Sequence, residues 1–299
     1  MKLQRLSLAD WELFKGFFSR QPHELSVYTF ANIDIWRGLF DISWSIVDDN
    51  LCVFFQDKTG CFLYFLPLGK RLSPRAIEES FRLMDGVNKN PAVSRIENVE
   101  AQDAAILEKW GYRIAPKPGE YLCLSKALAE LKGDNFKSKR AAVNFFTKHY
   151  EPRYKEFFPG DKEECLALYK LWSSERSTAK LDPVYRGMLK DNLICLETLF
   201  SDYEKLGLAG RVVEVNGRIK AFSAGFEINP ETFCVLYEFA DLSVKGLSQY
   251  IFQRFCQESV KYKYINIMDD SGLENLKIVK VSYRPLRLIP AFIADRKNG

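Results

Sequence analysis

Histidine is almost missing from this chain: its 299 residues contain two, His23 and His149. A Ser-His-Asp triad or a histidine-based metal site would have to use one of them. His23 follows Pro22 in a polar loop and His149 ends a basic segment, so both are expected at the solvated surface rather than as catalytic bases. Paired cysteine patterns are missing too. Cys52, Cys61, Cys123, Cys165, Cys195, Cys234 and Cys256 contain no CxxC, and most lie inside apolar runs. The expectation is reduced core thiols of a cytoplasmic protein, with no disulfide and no metal site. No apolar run reaches the roughly 18 residues of a membrane span. The opening MKLQRLSLADWELFKGFF breaks its apolar positions with charges, unlike a signal peptide. Net charge is small: 43 Lys and Arg against 39 Asp and Glu leave +4, which demands no polyanionic partner but leaves room for a local patch.

What is present is core-forming material. Hydrophobic residues make up 47% and aromatics 14%, which excludes a disordered chain, and the length suits two domains. The first half reads as a helix at Leu8 to Phe18 capped by Ser7, then an ambiguous aromatic stretch from Tyr28 to Trp44. Strands follow at Trp44 to Val47, Leu51 to Gln56 and Cys61 to Leu66, with Asp48-Asp49-Asn50 and Asp57 to Gly60 as turns. Ser73-Pro74 opens a helix to about Met84. Arg95 to Val99 is a strand, Ala101 to Trp110 a helix stopped by Gly111, and Tyr121 to Leu124 a strand.

The second half repeats that order. Asp161 and Glu164 have capping-box spacing, Asp182-Pro183 opens another helix, and Asn216-Gly217 is a hairpin signal between strands at Arg211 to Val215 and Arg218 to Ile228. Phe233 to Phe239 is an apolar strand leading to a loop at Gly246. A helix with Leu247, Tyr250, Ile251 and Phe255 on one face follows. Tyr264 to Met268 is the next strand, near-parallel to the first; Ser271 and Glu274 have capping-box spacing before a further helix, and a last strand lies near Leu286 to Phe292. LEKWGYR at 107–113 lies 171 positions before IVKVSYR at 278–284, with Lys, Tyr and Arg coinciding. A tandem repeat is expected, so Tyr112 and Tyr283 should be equivalent; the alternative is one large α+β domain with a chance match. The expected divisions are 1–125, 126–160 and 161–299.

Between the halves, KSKRAAVNFFTKHY suits a basic amphipathic helix. Lys137, Lys139, Arg140 and the following Asn144 are candidates for holding a polyanion such as tRNA or anionic lipid; the alternative is a solvated connector.

The element order of each half resembles the GNAT acyltransferase fold. More specifically, LKGDNFKSKRAAVNFF, the strands flanking Asn216-Gly217, YEFAD followed by Gly246 and Gln249, and DDSGLENLKIVKVSY together resemble the phosphatidylglycerol lysyltransferase C-terminal domain family. That resemblance implies an α/β (α+β) protein of two tandem GNAT-like domains with mixed central sheets, joined by the basic helix and related to the Fem peptidyltransferases. It also implies transfer of an aminoacyl group from aminoacyl-tRNA to a lipid or other acceptor. Two features depart from the pattern. The membrane-spanning flippase part of the best-known synthases is absent, so lipid contact would be peripheral. The phosphate loop of acetyl-CoA-using GNAT proteins resembles Q/R-x-x-G-x-G/A, whereas Ser243, Gly246 and Ser248 here give one glycine of two and no leading Gln or Arg. A CoA-dependent N-acyltransferase is therefore the second reading, and a non-catalytic lipid- or RNA-binding protein the third.

Acyl transfer from an activated ester needs a placed nucleophile, a proton acceptor and donors for the oxyanion. Glu238 and Asp241 are the candidate catalytic carboxylates, because YEFAD runs straight into the Gly246 loop; the alternative is surface charge or structural pairing. Gly246, Ser248, Gln249, Asp269 and Asp270 cluster at the same predicted strand ends, where a helix N-terminus favours anions, though the two aspartates also suit helix capping. Lys280 and Tyr283, three apart on one helix face, are candidates for binding a phosphate or the 3′ end of a tRNA, or else pack on each other.

Overall fold

Alternating apolar residues and tight turns build the first sheet. The structure is a computed structural model that describes residues 1–178 and 183–296. Its first elements are β1 (Gln4–Arg5), α1 (Trp11–Phe18), α2 (Phe30–Asp34), β2 (Asp41–Val47), β3 (Asn50–Asp57) and β4 (Gly60–Phe65). The turn at Asp48 and Asp49 has both residues at positive φ, the geometry a two-residue hairpin requires. There follow α3 (Pro74–Val87), capped by the Ser73 hydroxyl with Pro at its first position, β5 (Arg95–Glu100), α4 (Ala101–Lys109) and β6 (Tyr112–Leu124). The second half contains α5 (Ser125–Glu130), α6 (Lys137–His149), β7 (Arg153–Glu156), α7 (Lys162–Thr178), α8 (Pro183–Asp202), β8 (Ala209–Val215), β9 (Arg218–Asn229), β10 (Thr232–Ala240), α9 (Leu247–Glu258), β11 (Tyr264–Asn266), α10 (Glu274–Val281) and β12 (Arg287–Arg296). The expected opening of α8 at Asp182 lies outside the described residues.

The chain forms two compact units: Met1–Glu120 with the segment from Ile289, and Tyr121–Leu288. In the first, β1 to β4 are antiparallel neighbours in sequence, β5 joins β4 in parallel, and β12 pairs antiparallel with β5. In the second, β7 to β10 run antiparallel in order, β11 joins β10 in parallel, and residues 122–124 of β6 pair antiparallel with β11. Both are mixed sheets with the GNAT-like sequence of elements. The expected connector, 126–160, falls inside the second unit, and the C-terminal strand completes the first. Each unit's parallel strand thus takes its second neighbour from the end of the other half of the sequence.

The two units also share a packing detail. Tyr112 stands against Phe81 of α3, ring centroids 5.5 Å apart, and Tyr283 against Phe252 of α9 at 4.5 Å. The residue offset between Phe81 and Phe252 equals that between Tyr112 and Tyr283.

Three sequence expectations are corrected. His23 is buried, at 4% exposure. Its Nδ1 lies 3.0 Å from Glu100 Oε2, and its ring stacks on Tyr28 at 3.9 Å. Glu100 is buried and also accepts the Glu24 and Leu25 N–H groups at 2.8 and 3.3 Å. Burial pushes this carboxyl up, but the His23 hydrogen bond and charge and the two N–H groups outweigh it and hold the pKa below the ordinary value. A buried carboxylate needs donors, and the loop is drawn inward to supply them. Second, α10 begins at Glu274 with Leu273 as its N-cap; Ser271, at φ 53°, instead donates its N–H to Asp269 at 2.6 Å. Third, the Glu164 carboxylate accepts the Ile219 N–H at 3.1 Å rather than closing a capping box on Asp161. All seven cysteines are buried and unbridged, as expected.

The pairing of β12 makes a specific prediction. A chain ending at Leu288 removes the neighbour of β5, whose freed backbone groups must turn to water. Hydrogen exchange should show β5 amides losing protection while β10 and β11 retain theirs. Equal loss in both sets, or none in β5, would contradict the strand assignment.

Candidate functional site

The site grows from one strand end in the second unit. Glu238 lies near the end of β10, paired with Ser223 of β9. Three residues on, the Asp241 N–H donates to the Lys220 carbonyl at 2.8 Å, and the chain turns through 241–246 into α9. Gly246 makes this turn possible. Its φ is +86°, and a Cβ there would stand 2.2 Å from the Ala142 carbonyl oxygen of α6. Only glycine meets both conditions. The turn fixes Ser248 in the first turn of α9, where its hydroxyl donates to Glu238 Oε1 at 2.5 Å.

Glu238 is half-buried in a ring of functional groups. Lys139 of α6 and Lys280 of α10 both act on it electrostatically. Lys139 Nζ stands 4.3 Å over the Tyr283 ring, and Lys280 donates to the Ile267 carbonyl. Tyr283 is buried against Phe252. Burial raises the Glu238 pKa to about 7, although the Ser248 hydroxyl and the two ammonium groups pull it down. Burial likewise lowers the pKa of Lys139, opposed by the Glu238 charge. The Tyr283 phenol is raised by burial and by Glu238. A carboxyl that titrates near neutrality, with a hydroxyl on it and ammonium groups around it, is equipped to move a proton and to face developing negative charge.

Asp241 has a different setting. Its carboxylate is buried, 2.7 Å from Lys220 Nζ, and accepts the Ser243 N–H and hydroxyl at 2.9 and 2.5 Å. Burial pushes it up, but Lys220 and the two Ser243 donors hold it below the ordinary carboxylate range. Its Oδ1 is committed to Ser243 in the loop and its Oδ2 to Lys220 of β9. No local motif marks Lys220; the hairpin register, in which Ala240 pairs with Ala221, brings residue 241 to residue 220.

The remaining candidates separate into two groups. Asp269 accepts the Ser271 N–H, while Asp270 accepts the Gly272 N–H at 3.0 Å and the Tyr121 hydroxyl at 2.6 Å, so both shape the loop before α10. Gln249 is half-buried in the first turn of α9. On α6, Lys137 and Asn144 are exposed, but Lys139 turns in to Tyr283. Arg140 donates to the Leu131 and Gly133 carbonyls, fastening the left-handed turn at 131–133. A pocket in the first unit is lined by Glu78, Arg82, Asp85, Tyr112 and Arg296, with Arg296 paired to Asp85 at 2.8 Å.

The family described as phosphatidylglycerol lysyltransferase, C-terminal, matches residues 19–295. No curated protein matches the sequence. Among solved structures, a conserved protein of unknown function from Bacteroides thetaiotaomicron is 26% identical, with a TM-score of 0.86 over 99% of this chain and 100% of that one. FemX superposes with a TM-score of 0.62 at 8% identity over 100% of this chain and 98% of its own. A tandem GNAT protein from the clavulanic acid biosynthesis pathway gives 0.55 at 10% identity over 100% and 99%. The last two likenesses are of fold.

The role of Gly246 is testable by stability. Gly246→Ala meets a left-handed backbone and a fixed carbonyl, and should lose about 2 kcal/mol or more. Gly217→Ala, at φ +72° with open space around it, meets the backbone condition alone and should lose about 1 kcal/mol. Equal losses in urea melts would show that the Ala142 contact does not matter.

Proposed function

The chain belongs to the phosphatidylglycerol lysyltransferase C-terminal family, and from that premise we propose that it moves an aminoacyl group from aminoacyl-tRNA to a hydroxyl or amine of a lipid or other acceptor. Family and fold point to a transferase. The observation that carries the finer reading is the Glu238 carboxyl, raised to about 7 by burial beside Ser248, Lys139 and Lys280.

In this reading the acceptor hydroxyl attacks the carbonyl carbon of the aminoacyl ester and its proton passes to ionised Glu238. The carbonyl oxygen becomes an oxyanion facing the Lys139 and Lys280 ammonium groups. The intermediate collapses by breaking the bond to the tRNA ribose oxygen, which takes the proton back from Glu238. An amine acceptor follows the same path. Nothing is oxidised or reduced, and the carboxyl ends as it began. Ser248 orients Glu238, and Asp241 with Lys220 supports the loop that places Ser248. Of the four candidates on the basic segment, Lys137 and Asn144 are the exposed ones and are offered to a tRNA backbone.

The setting of Gly246 favours a tRNA donor over an acyl-CoA one. A CoA pyrophosphate would need the N–H groups at the start of α9, where the Ala142 carbonyl of α6 stands against the turn. The matching Phe81–Tyr112 and Phe252–Tyr283 pairs support a duplication as the origin of the two units.

The test is aminoacyl transfer from charged tRNA to extracted lipid. Wild-type turnover should rise with pH through about 7, because the base must be ionised. Glu238→Gln should lower turnover by about 10²-fold or more with little change in KM, and abolish that rise. Asp241→Asn should act mainly through stability. Full turnover in Glu238→Gln, or protection from melting by acetyl-CoA, would overturn the reading.

A further inference from the structure

A globular helix normally buries one face. α10 buries none of its residues, although it carries Ile278, Val279 and Val281. These three are 62%, 50% and 43% exposed, and Leu286 and Leu288 just beyond them are 54% and 52% exposed. Five large apolar side chains in one short segment differ from the scattered single residues of an ordinary surface. The charges in the same segment are all of one sign. From residue 277 to residue 288 there is no Asp or Glu, and the exposed cations are Lys277, 3.8 Å from Glu274 one turn back, Arg284 and Arg287, while Lys280 turns inward. Exposed apolar residues interleaved with cations are the composition of an interfacial segment, in which apolar side chains enter the headgroup boundary and cations meet lipid phosphates.

We propose that residues 277–288 dock on a membrane surface bearing anionic lipids. The charge selects this occupant. A second copy of the chain docking face to face would bring the same cations together, at a Coulombic cost. The segment is also joined to the candidate site: while Ile278, Val279 and Val281 face outward, Lys280 and Tyr283 turn inward to Glu238. A docked segment therefore brings a lipid headgroup to the side of the chain that carries the proton acceptor. The docking rests on exposure and charge, and holds whether or not the aminoacyl-transfer reading does.

The experiment is co-sedimentation of the full chain with vesicles, read by bound fraction and not by activity. Vesicles of phosphatidylglycerol with phosphatidylcholine should bind the protein, and pure phosphatidylcholine vesicles should bind about tenfold less. Ile278→Asp with Leu288→Asp should lower binding to the anionic vesicles about tenfold. Arg284→Glu with Arg287→Glu should do the same and weaken the salt dependence. All four sites are exposed, so melting temperatures should stay within a degree or two. No preference for anionic vesicles would overturn the proposal, as would full binding by the Asp variant. So would a wild-type dimer that the Asp substitutions convert to monomer while vesicle binding persists.

Discussion

Removing a carboxylate from water is expensive unless donors or cations replace the lost hydration, and the second unit is arranged around one such carboxylate. Glu238 receives one hydroxyl from Ser248 and the fields of two ammonium groups. That compensation is incomplete, so the carboxyl keeps its proton up to about pH 7. The arrangement depends on backbone features some distance away. Gly246 lets α9 start close to α6, Arg140 holds the turn that leads into α6, and Lys139 on α6 reaches Tyr283. Each element brings one member of the ring.

Asp241 shows how finely environment decides the outcome. It is three residues from Glu238 and more buried, yet its pKa moves the other way. At Asp241 the direct donors, Lys220 and two groups of Ser243, outweigh the burial that pushes its pKa up, whereas at Glu238 burial outweighs the Ser248 hydroxyl and the two ammonium charges. Two carboxyls three residues apart are thus pushed in opposite directions by their surroundings.

Most strands and helices were legible as periodicity and turn chemistry. Asp48-Asp49, Ser73-Pro74 and Asn216-Gly217 stand where their residue types demanded. Glu238, Ser248, Lys280 and Tyr283 were legible as candidates because a strand end, a glycine turn and an i, i+3 pair mark positions without needing the fold. What stayed hidden depended on partners distant in sequence. His23 looked solvated because nothing local announces Glu100, 77 positions away. Lys139 and Arg140 looked like one exposed charge run, yet one turns to Tyr283 and the other to a carbonyl pair. Ser271 looked like a cap, but positive φ at Met268, Ser271 and Gly272 gives that loop another path. The placement of β12 beside β5 is a matter of strand order, which local pattern does not encode.

The central claim is that Glu238 is a carboxyl held near neutrality by burial among Ser248, Lys139 and Lys280. It is tested most directly by following the side-chain carboxyl carbons of isotope-labelled protein by NMR as pH is raised, with Glu238→Gln identifying the resonance. The account predicts one glutamate titrating with a midpoint near 7, missing from the variant, while Asp241 titrates below the ordinary aspartate range. A Glu238 midpoint near the ordinary 4.5 would contradict it, leaving the residue a solvated strand-end charge with no special capacity to carry a proton at neutral pH.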